Sequence, residues 1–298
     1  MSAEKFKAQA VMLNDMVSKL DNVKYYYMDT FSYAQSVLND LTDGDISKSM
    51  QIYWREILLR VHFTALTSVL RNSKWINGII FGIESSNLMI FSASLRGFLE
   101  AVSDTYYSLE SIPTDLALNH KNINQAVKGE LNRNFTSEQT ENKLLHFEFA
   151  SKRSNIKPLT NINYIKYFDM LGEIKAKDLY SELCDITHPS SKSILCFTSN
   201  EILSDHFEYI SINNAMDNNE IQKIINKYDN AINTLLIASI NLPFLCFKVL
   251  NLFEYDQIKS VFLETCVINK FIKNKVWNDI LKMTREGEKY TLTSSDYA

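Results

Sequence analysis

Residues 178–193 read DLYSELCDITHPSSKS, and the prediction of the fold starts from this stretch. Leu179, Leu183 and Ile186 are separated by four and then three residues, a spacing that places them on one face of a helix. Side chains of this kind on one face indicate that the helix is buried along that side against other helices. The stretch therefore predicts an amphipathic helix that belongs to a larger helical bundle.

The C-terminal end of this helix is expected at His188. Pro189 disfavours a helical conformation for the residue before it. The exposed carbonyl groups at a helix C-terminus favour a protonated imidazole, which makes His188 a candidate for a titrating functional group. Glu182 and Asp185 precede His188 at intervals of three residues, so the three side chains spread over a modest arc and could share a cleft.

A second helix, at residues 87–109, is expected to pack against the first. An apolar stripe at helical spacing marks its buried face and consists of Leu88, Phe91, Leu95, Leu99 and Val102. One flank of this helix carries Arg96, Glu100 and Asp104 at intervals of four residues. These charges could form an exposed ladder worth about 0.3 kcal/mol per pair.

The alternative is that Arg96 and Glu100 face inward, towards Tyr180 and His188. Gly97 would then allow a neighbouring helix to approach closely, because it has no side chain. A charge buried in that position would need a partner. This alternative predicts that the four side chains converge in one cleft.

The segments LRGFLEA at 95–101 and YSELCDITHPSS at 180–191 together resemble a bacterial all-helical family of unknown function. That family is related to the HEPN (higher eukaryotes and prokaryotes nucleotide-binding) domains, and the resemblance covers residues 52–197. It implies a helical bundle that is often dimeric. Active HEPN members cleave RNA without a metal ion, using an arginine and a histidine four to six residues apart on one helix.

This chain departs from the HEPN pattern at the arginine. The positions from which an arginine would pair with His188 hold Leu183, Glu182 and Ser181. A site of this kind would therefore need Arg96 to supply the guanidinium group from the neighbouring helix. The HEPN spacing does occur at Arg55 and His62, but chance produces such pairs readily, and a solvated arginine beside a half-buried histidine is the simpler interpretation.

Composition supports an all-α fold. The 298 residues are 46% hydrophobic, and seven glycines and four prolines are too few for the turns of a β-sandwich or a doubly wound sheet. We expect a multi-helix bundle with a HEPN-like core and a small hairpin near 193–212, with strands at 193–198 and 207–212. The net charge of −4 argues against generic attraction to nucleic acid, although a local basic patch remains compatible with it.

The predicted organisation has three parts. Residues 1–44 carry apolar heptads typical of one long helix or a tight helical pair, residues 45–288 form the main bundle, and residues 289–298 form a disordered tail. Within the bundle, further helices are expected at 46–71, 75–109, 115–128, 136–152, 161–171, 217–253 and 256–284. Pro243 should kink the helix that contains it, and lysines make the last helix basic.

Localisation and cofactors are predicted mainly from motifs that the sequence lacks. The four cysteines have no metal-type spacing and the start has no signal-peptide pattern, so we expect a cytoplasmic protein. Residues 235–253 are apolar, but their asparagines, lysine and proline favour a core helix over a membrane span. Phosphate-binding glycine loops and the common hydrolase and zinc motifs are missing, so neither a cofactor nor a metal is assigned.

Two functions are consistent with these features. The first is a metal-independent endoribonuclease acting as a toxin or phage-defence effector, with Arg96, Glu100, Tyr180 and His188 as catalytic residues and RNA as substrate. The second is a non-catalytic helical protein that binds a ligand or a protein partner in the same cleft. The heptads and the resemblance also predict a homodimer. A weaker hypothesis is a metal site built from the carboxylate and imidazole ligands Glu100, Asp104, Asp185 and His188.

Overall fold

The computed structural model describes residues 2–20, 23–25, 30–42, 44–144, 159–172, 174–204, 207–212, 217–270 and 275–287. Within these residues the protein is all-α apart from one two-stranded hairpin, which confirms the predicted fold class. The α-helices are α1 (Ser2–Val17), α2 (Thr30–Thr42), α3 (Ile46–Glu84), α4 (Leu88–Leu109), α5 (Ile112–Leu118), α6 (His120–Lys128), α7 (Glu138–Leu144), α8 (Asn161–Asp169), α9 (Ala176–Thr187), α10 (Ser191–Leu195), α11 (Asp217–Lys227), α12 (Asp229–Leu250) and α13 (Lys275–Glu286). The antiparallel strands are β1 (Thr198–Ser204) and β2 (Phe207–Ile212).

The chain forms two compact units, each assembled from three separate segments. The first comprises Met1–Val17, Ser68–Asp104 and Leu159–Ile240. The second comprises Ser18–Thr67, Thr105–Pro158 and Asn241–Ala298. The sequence predicted a division of the chain at residue 44, and neither unit has a boundary there.

Close packing of α3 against α4 forms the centre of the first unit. A Cβ atom on Gly82 would lie 2.5 Å from the backbone nitrogen of Phe91, and one on Gly97 would lie 2.6 Å from the indole of Trp75. Only glycine allows two helices to come this near each other. The expected close approach at Gly97 is therefore present, and the helix that makes it is α3.

The N-terminus of α4 is capped by two side chains. Asn87 Oδ1 accepts a hydrogen bond from the backbone N–H of Ile90 at 2.9 Å, which is the usual role of an N-cap residue. The carboxylate of Asp217, at the start of α11, accepts a second one from the N–H of Leu88 at 3.1 Å. These contacts set where α4 begins and thus where Arg96 is presented two turns later.

A buried polar contact accompanies the proline inside α12. Pro243 has no N–H, so the carbonyl of Ser239, four residues earlier, has no donor from its own helix. The side-chain amide of Asn72 donates to that carbonyl at 3.0 Å, and Asn72 is fully buried on α3. This hydrogen bond from Asn72 satisfies the Ser239 carbonyl, which would otherwise be buried without a donor.

His62 lies in the core of the second unit. Its Nδ1 is 2.6 Å from the hydroxyl of Tyr25 and its Nε2 is 2.9 Å from Oγ of Ser260. The residue is only 3% exposed, and burial lowers the pKa of the imidazole to about 4. The prediction that His62 is half-buried is therefore wrong, because both of its ring nitrogens are held in the interior.

Arg55 does not act together with His62. Its Nε donates to the carbonyl of Val127 at 3.1 Å, and its guanidinium faces the ring of Tyr255 at 5.4 Å. The interpretation of Arg55 as a solvated side chain is therefore incomplete, since the charge is held against α6 and an aromatic ring. The Arg55–His62 spacing reflects core packing of the second unit rather than a functional pair.

Several helix boundaries differ from the predictions. Of the two alternatives for the N-terminal region, a single helix over 3–41 is wrong, because α1 ends at Val17 and 23–25 are not helical; the described residues there form two helices, α1 and α2. The helices predicted at 46–71 and 75–109 are divided elsewhere, since α3 runs for 39 residues to Glu84 and α4 begins at Leu88. The helix predicted at 115–128 is divided at Asn119 into α5 and α6, and the long helix predicted at 217–253 is divided at Tyr228 into α11 and α12.

The start of α7 also differs from the prediction. The hydroxyl of Ser137 accepts a hydrogen bond from the N–H of Thr140 at 3.3 Å, and the helix begins at Glu138 rather than at 136. The expected extension of this helix to 152 and the tail 289–298 lie outside the described residues. Those two predictions stay predictions.

The hairpin is present, but its first strand is displaced. Strand β2 matches the predicted position, whereas 193–198 is mostly the short helix α10 and β1 occupies the segment expected to be a loop. A reciprocal capping box between Ser190 and Ser193 starts α10 and draws these residues out of the extended conformation.

The C-terminal region is not one long helix. Residues 256–270 form three short 3₁₀ segments, at Asp256–Ile258, Val261–Thr265 and Val267–Lys270, before α13 begins. Asn251 explains part of this, since its side chain accepts from the N–H of Ser260 at 2.8 Å and donates to the Ser260 carbonyl at 3.3 Å. Side-chain bonds of this kind compete with the helical hydrogen-bond pattern.

The helix α12 meets the length and apolar character needed to cross a membrane, with a mean hydropathy of 1.6 over its most apolar window. In the structure 56% of that window is buried by the protein itself. A helix buried in the core of a protein can have the same length and apolar character, so these two features do not by themselves identify a membrane span.

Candidate functional site

The helix α9 presents the candidate residues of the first unit. Asp169, at the end of α8, accepts a hydrogen bond from the N–H of Ala176 at 2.8 Å and so fixes the start of α9. The predicted apolar face is buried and consists of Leu179, Leu183 and Ile186. His188 is the C-cap in an extended conformation, with its N–H bonded to the Cys184 carbonyl at 2.9 Å, which confirms the predicted end of the helix.

The structure brings Arg96 and His188 into contact. Nη1 of Arg96 lies 3.0 Å from Nε2 of His188 and also donates to Oγ1 of Thr187 at 2.7 Å. The Thr187 hydroxyl in turn donates to the carbonyl of Leu183 at 2.8 Å. Thr187 therefore fixes the guanidinium group beside the imidazole.

The contact also limits the hydrogen bonding of His188. An arginine side chain can only donate hydrogen bonds, so a hydrogen bond between these two atoms has Nε2 of His188 as its acceptor. His188 is exposed, and the Arg96 side chain is 26% exposed, so solvent reaches the pair.

Glu100 and Tyr180 lie next to this pair. The carboxylate of Glu100 is 3.9 Å from Nε of Arg96, at the long end of an ion-pair distance. Burial, followed by the negative charge of Glu100, raises the pKa of Tyr180 to about 12. The Tyr180 hydroxyl therefore keeps its proton at neutral pH and lies within hydrogen-bonding reach of Glu100 and Cys184. All four residues named from the sequence are brought together.

Glu182, six residues before His188 on α9, has a different role from the one expected of it. Its carboxylate binds Lys192 at 2.7 Å, Lys227 at 2.6 Å and the hydroxyl of Tyr228 at 2.7 Å. Burial alone would raise the pKa of Glu182, but these hydrogen bonds outweigh it and lower that pKa to about 2. Glu182 therefore ties α9 to the residues after it and to α11, and it does not share the cleft of His188.

The charges do not converge in the way that the metal hypothesis requires. Asp104 is buried and accepts a hydrogen bond from Arg71 at 2.8 Å, whereas His188 contacts Arg96. In the part of the chain that the structure describes, no group of three histidine, cysteine, aspartate or glutamate side chains is arranged to hold a metal ion. The same Arg71 contact shows that Arg96, Glu100 and Asp104 do not form one exposed ladder.

Two participants in the site were not named from the sequence. Thr187 is the firmest partner of Arg96, and its position directly before His188 is the only sequence signal that could have indicated it. The Trp75 indole, packed on Gly97 beside Arg96, is 40% exposed, which is unusual for so large an apolar side chain. Trp75 lies on α3, and nothing in the sequence around it indicates that its ring packs against Gly97 of α4.

Comparison of this chain with protein-family models, with curated proteins and with solved structures finds no match.

Proposed function

We propose that the protein is a metal-independent endoribonuclease with a HEPN-like composite site, in which His188 and Arg96 come from two different helices. The observation that carries the proposal is the 3.0 Å contact between Nη1 of Arg96 and Nε2 of His188. Arg96 on α4 thereby provides, next to His188 at the end of α9, the arginine that α9 itself lacks. The proposal extends to a cytoplasmic homodimer that acts as a toxin or phage-defence effector.

In the proposed reaction, the neutral imidazole of His188 acts first as a general base. It removes the proton from a ribose 2′-hydroxyl, whose oxygen attacks the adjacent phosphorus while the bond to the 5′-oxygen of the next nucleotide breaks. The leaving 5′-oxygen takes up a proton from water, so the products are a 2′,3′-cyclic phosphate and a 5′-hydroxyl, and the imidazolium of His188 then releases its proton to solvent. Nη1 of Arg96 exchanges its bond to Nε2 for one to a phosphate oxygen, where it stabilises the developing negative charge.

The other two residues support this step. Glu100 limits the movement of Arg96 through its charge, and the weak 3.9 Å contact leaves the guanidinium able to turn towards a phosphate. Tyr180 remains protonated, so its hydroxyl can donate to the substrate or its ring can stack on a base. Both are positioning residues in this proposal.

The solvent exposure of Arg96 and His188 favours a functional site over a purely structural polar cluster. A satisfied polar core would pair Arg96 tightly with Glu100 and bond the His188 ring to a backbone group. Here the distance between Arg96 and Glu100 is 3.9 Å, and the imidazole contacts a guanidinium at the protein surface. Such an arrangement remains open to an anionic ligand, since a phosphate can replace the imidazole as the acceptor.

The test is cleavage of a single-stranded RNA in the presence of a chelator. We expect His188→Asn, which keeps a polar side chain but cannot relay the proton, to lower the rate by about 10²- to 10⁴-fold. Arg96→Ala should lower the cleavage rate by about 10²- to 10³-fold. Arg96→Lys should recover only part of that rate, because lysine lacks the planar donor pair. Asp185→Asn, an exposed change on the same helix, is the matched control and should cleave normally.

Thermal melting of each variant separates catalysis from folding. Lost cleavage with an unchanged melting temperature supports the enzyme. If the wild-type chain does not cleave RNA, and both the Arg96 and His188 variants melt at much lower temperature, the proposal fails. Sedimentation at a mass near that of one 34.4 kDa chain, independent of protein concentration, would contradict the homodimer.

The second candidate is a non-catalytic protein that binds a ligand in the same cleft. The 2.7 Å bond from Arg96 to Thr187 favours it, because a guanidinium held by a neighbouring hydroxyl is well placed for binding and needs no proton transfer. In that case Thr187→Val should weaken RNA binding as much as His188→Asn does, and neither the wild type nor the variants should cleave.

A further inference from the structure

The second unit contains a cleft that the proposed ribonuclease site does not use. Its volume is about 650 Å³, and it lies between the start of α6 and the C-terminal end of α13. Three cationic side chains line it, namely Lys121, Arg133 and Arg285. A volume of this size is within the range of pockets that bind small molecules.

Two cations of this cleft differ from Lys128 and Lys143 of the same unit, which are held by carboxylates. Lys128 is paired with Glu254 at 2.7 Å, and Lys143 is paired with Glu110 at 2.6 Å. By contrast, the side chains of Lys121 and Arg285 make neither a hydrogen bond nor an ion pair with any residue that the structure describes. Their charges therefore remain available within a protein whose net charge is −4.

Two other polar side chains of the lining are held in place. Arg133 donates to Oδ1 of Asn122 at 2.9 Å and lies over the ring of Phe135 at 5.9 Å, so its guanidinium has a defined position. Nε2 of His120 contacts the carbonyl of Leu252 at 3.2 Å, which fixes the imidazole at the edge of the cleft. The cleft therefore presents fixed polar and cationic groups to a ligand.

We propose that this cleft binds a small phosphorylated molecule, whose phosphate groups are held by Lys121, Arg133 and Arg285. Arginine presents two parallel N–H donors that match the oxygens of a phosphate, and lysine adds a point charge. Glu286 is the one acidic residue in the lining and would accept hydrogen bonds from hydroxyl groups on the unphosphorylated part of the ligand. The proposal does not rest on ribonuclease activity.

The test uses isothermal titration of the full chain with inorganic pyrophosphate, with ribose 5-phosphate and with citrate, a trianion that has no phosphate. We expect saturable binding of at least one of the two phosphorylated probes and no more than about a tenth of that affinity for citrate. Lys121→Gln and Arg285→Gln alter exposed side chains and should keep the fold. Each should weaken binding about tenfold, the loss of one charge-assisted contact.

Lys275→Gln is the matched control, since it removes an exposed cation from the same helix outside the cleft. It should leave the affinity unchanged. The proposal is overturned if neither phosphorylated probe binds at millimolar concentration, if citrate binds equally well, or if the control weakens binding as much as Arg285→Gln. Competition in which a short RNA displaces both probes with far higher affinity would assign the cleft to nucleic acid instead and would also overturn it.

Discussion

Protonation of His62 is expected to destabilise the second unit in mild acid. The pKa of the buried imidazole is about 4, against 6.5 for a solvated one. As the pH falls, the unfolded chain takes up its proton first, so this contribution to stability is complete above pH 6.5 and is lost between pH 6.5 and 4. A difference of 2.5 pKa units corresponds to about 3 kcal/mol in total, of which about 2 kcal/mol is lost by pH 5.

His62→Gln removes the titration and keeps an amide that can bond Tyr25 or Ser260. Other groups also titrate in this range, so the quantity to compare is the change in unfolding free energy between pH 7.5 and 5 in each protein. Urea unfolding followed by circular dichroism should show a change about 2 kcal/mol smaller in the variant. Ser260→Ala, which leaves the imidazole in place, should keep the wild-type dependence on pH. Equal pH dependence in wild type and His62→Gln would refute the reasoning.

Two further predictions concern stability. Asn72→Leu should lower the free energy of unfolding by about 1–3 kcal/mol, because it leaves the buried Ser239 carbonyl unpaired, and adding Pro243→Ala should recover part of that loss by restoring a helical N–H. A double-mutant cycle from urea unfolding measures this coupling between the two positions. Strictly additive effects of the two substitutions would contradict it. Gly82→Ala should destabilise the protein by about 1–3 kcal/mol, since the new methyl would meet the Phe91 backbone. Gly78→Ala should cost less, because its nearest neighbour is the rotatable hydroxyl of Ser94, at 2.5 Å, and the Cβ of Ser94 is farther away, at 3.2 Å. Melting temperatures in the opposite order would contradict this comparison.

Features controlled by neighbours in sequence were predictable. The end of α9 depends on Pro189 and its buried face on the spacing of three apolar residues, and both were confirmed. The position of β2 likewise agrees with its local alternation. The fold class depends on many such signals together, so it was robust to errors at single boundaries.

Features controlled by distant partners were not predictable. One predicted helix ended at 71, yet α3 continues through Asn72, whose buried side chain donates to the carbonyl of Ser239 on α12. The contact between Asn251 and Ser260 ended a helical pattern that the apolar spacing alone would have continued. Convergence of Arg96 with His188 was anticipated only as one of two alternatives, and the part played by Thr187 was missed because its bond to Arg96 depends on a distant helix, although Thr187 directly precedes His188.

The indole of Trp75, resting on the backbone at Gly97, gives the protein an intrinsic optical probe. Of the other two tryptophans, Trp54 is 2% exposed in the core, and Trp277 has the ammonium group of Lys248 at 4.2 Å from its ring. Replacing both by phenylalanine would leave Trp75 as the single tryptophan, packed against Gly97 of α4. The wavelength and lifetime of its fluorescence would then report changes of hydration at this part of α4 without any attached dye.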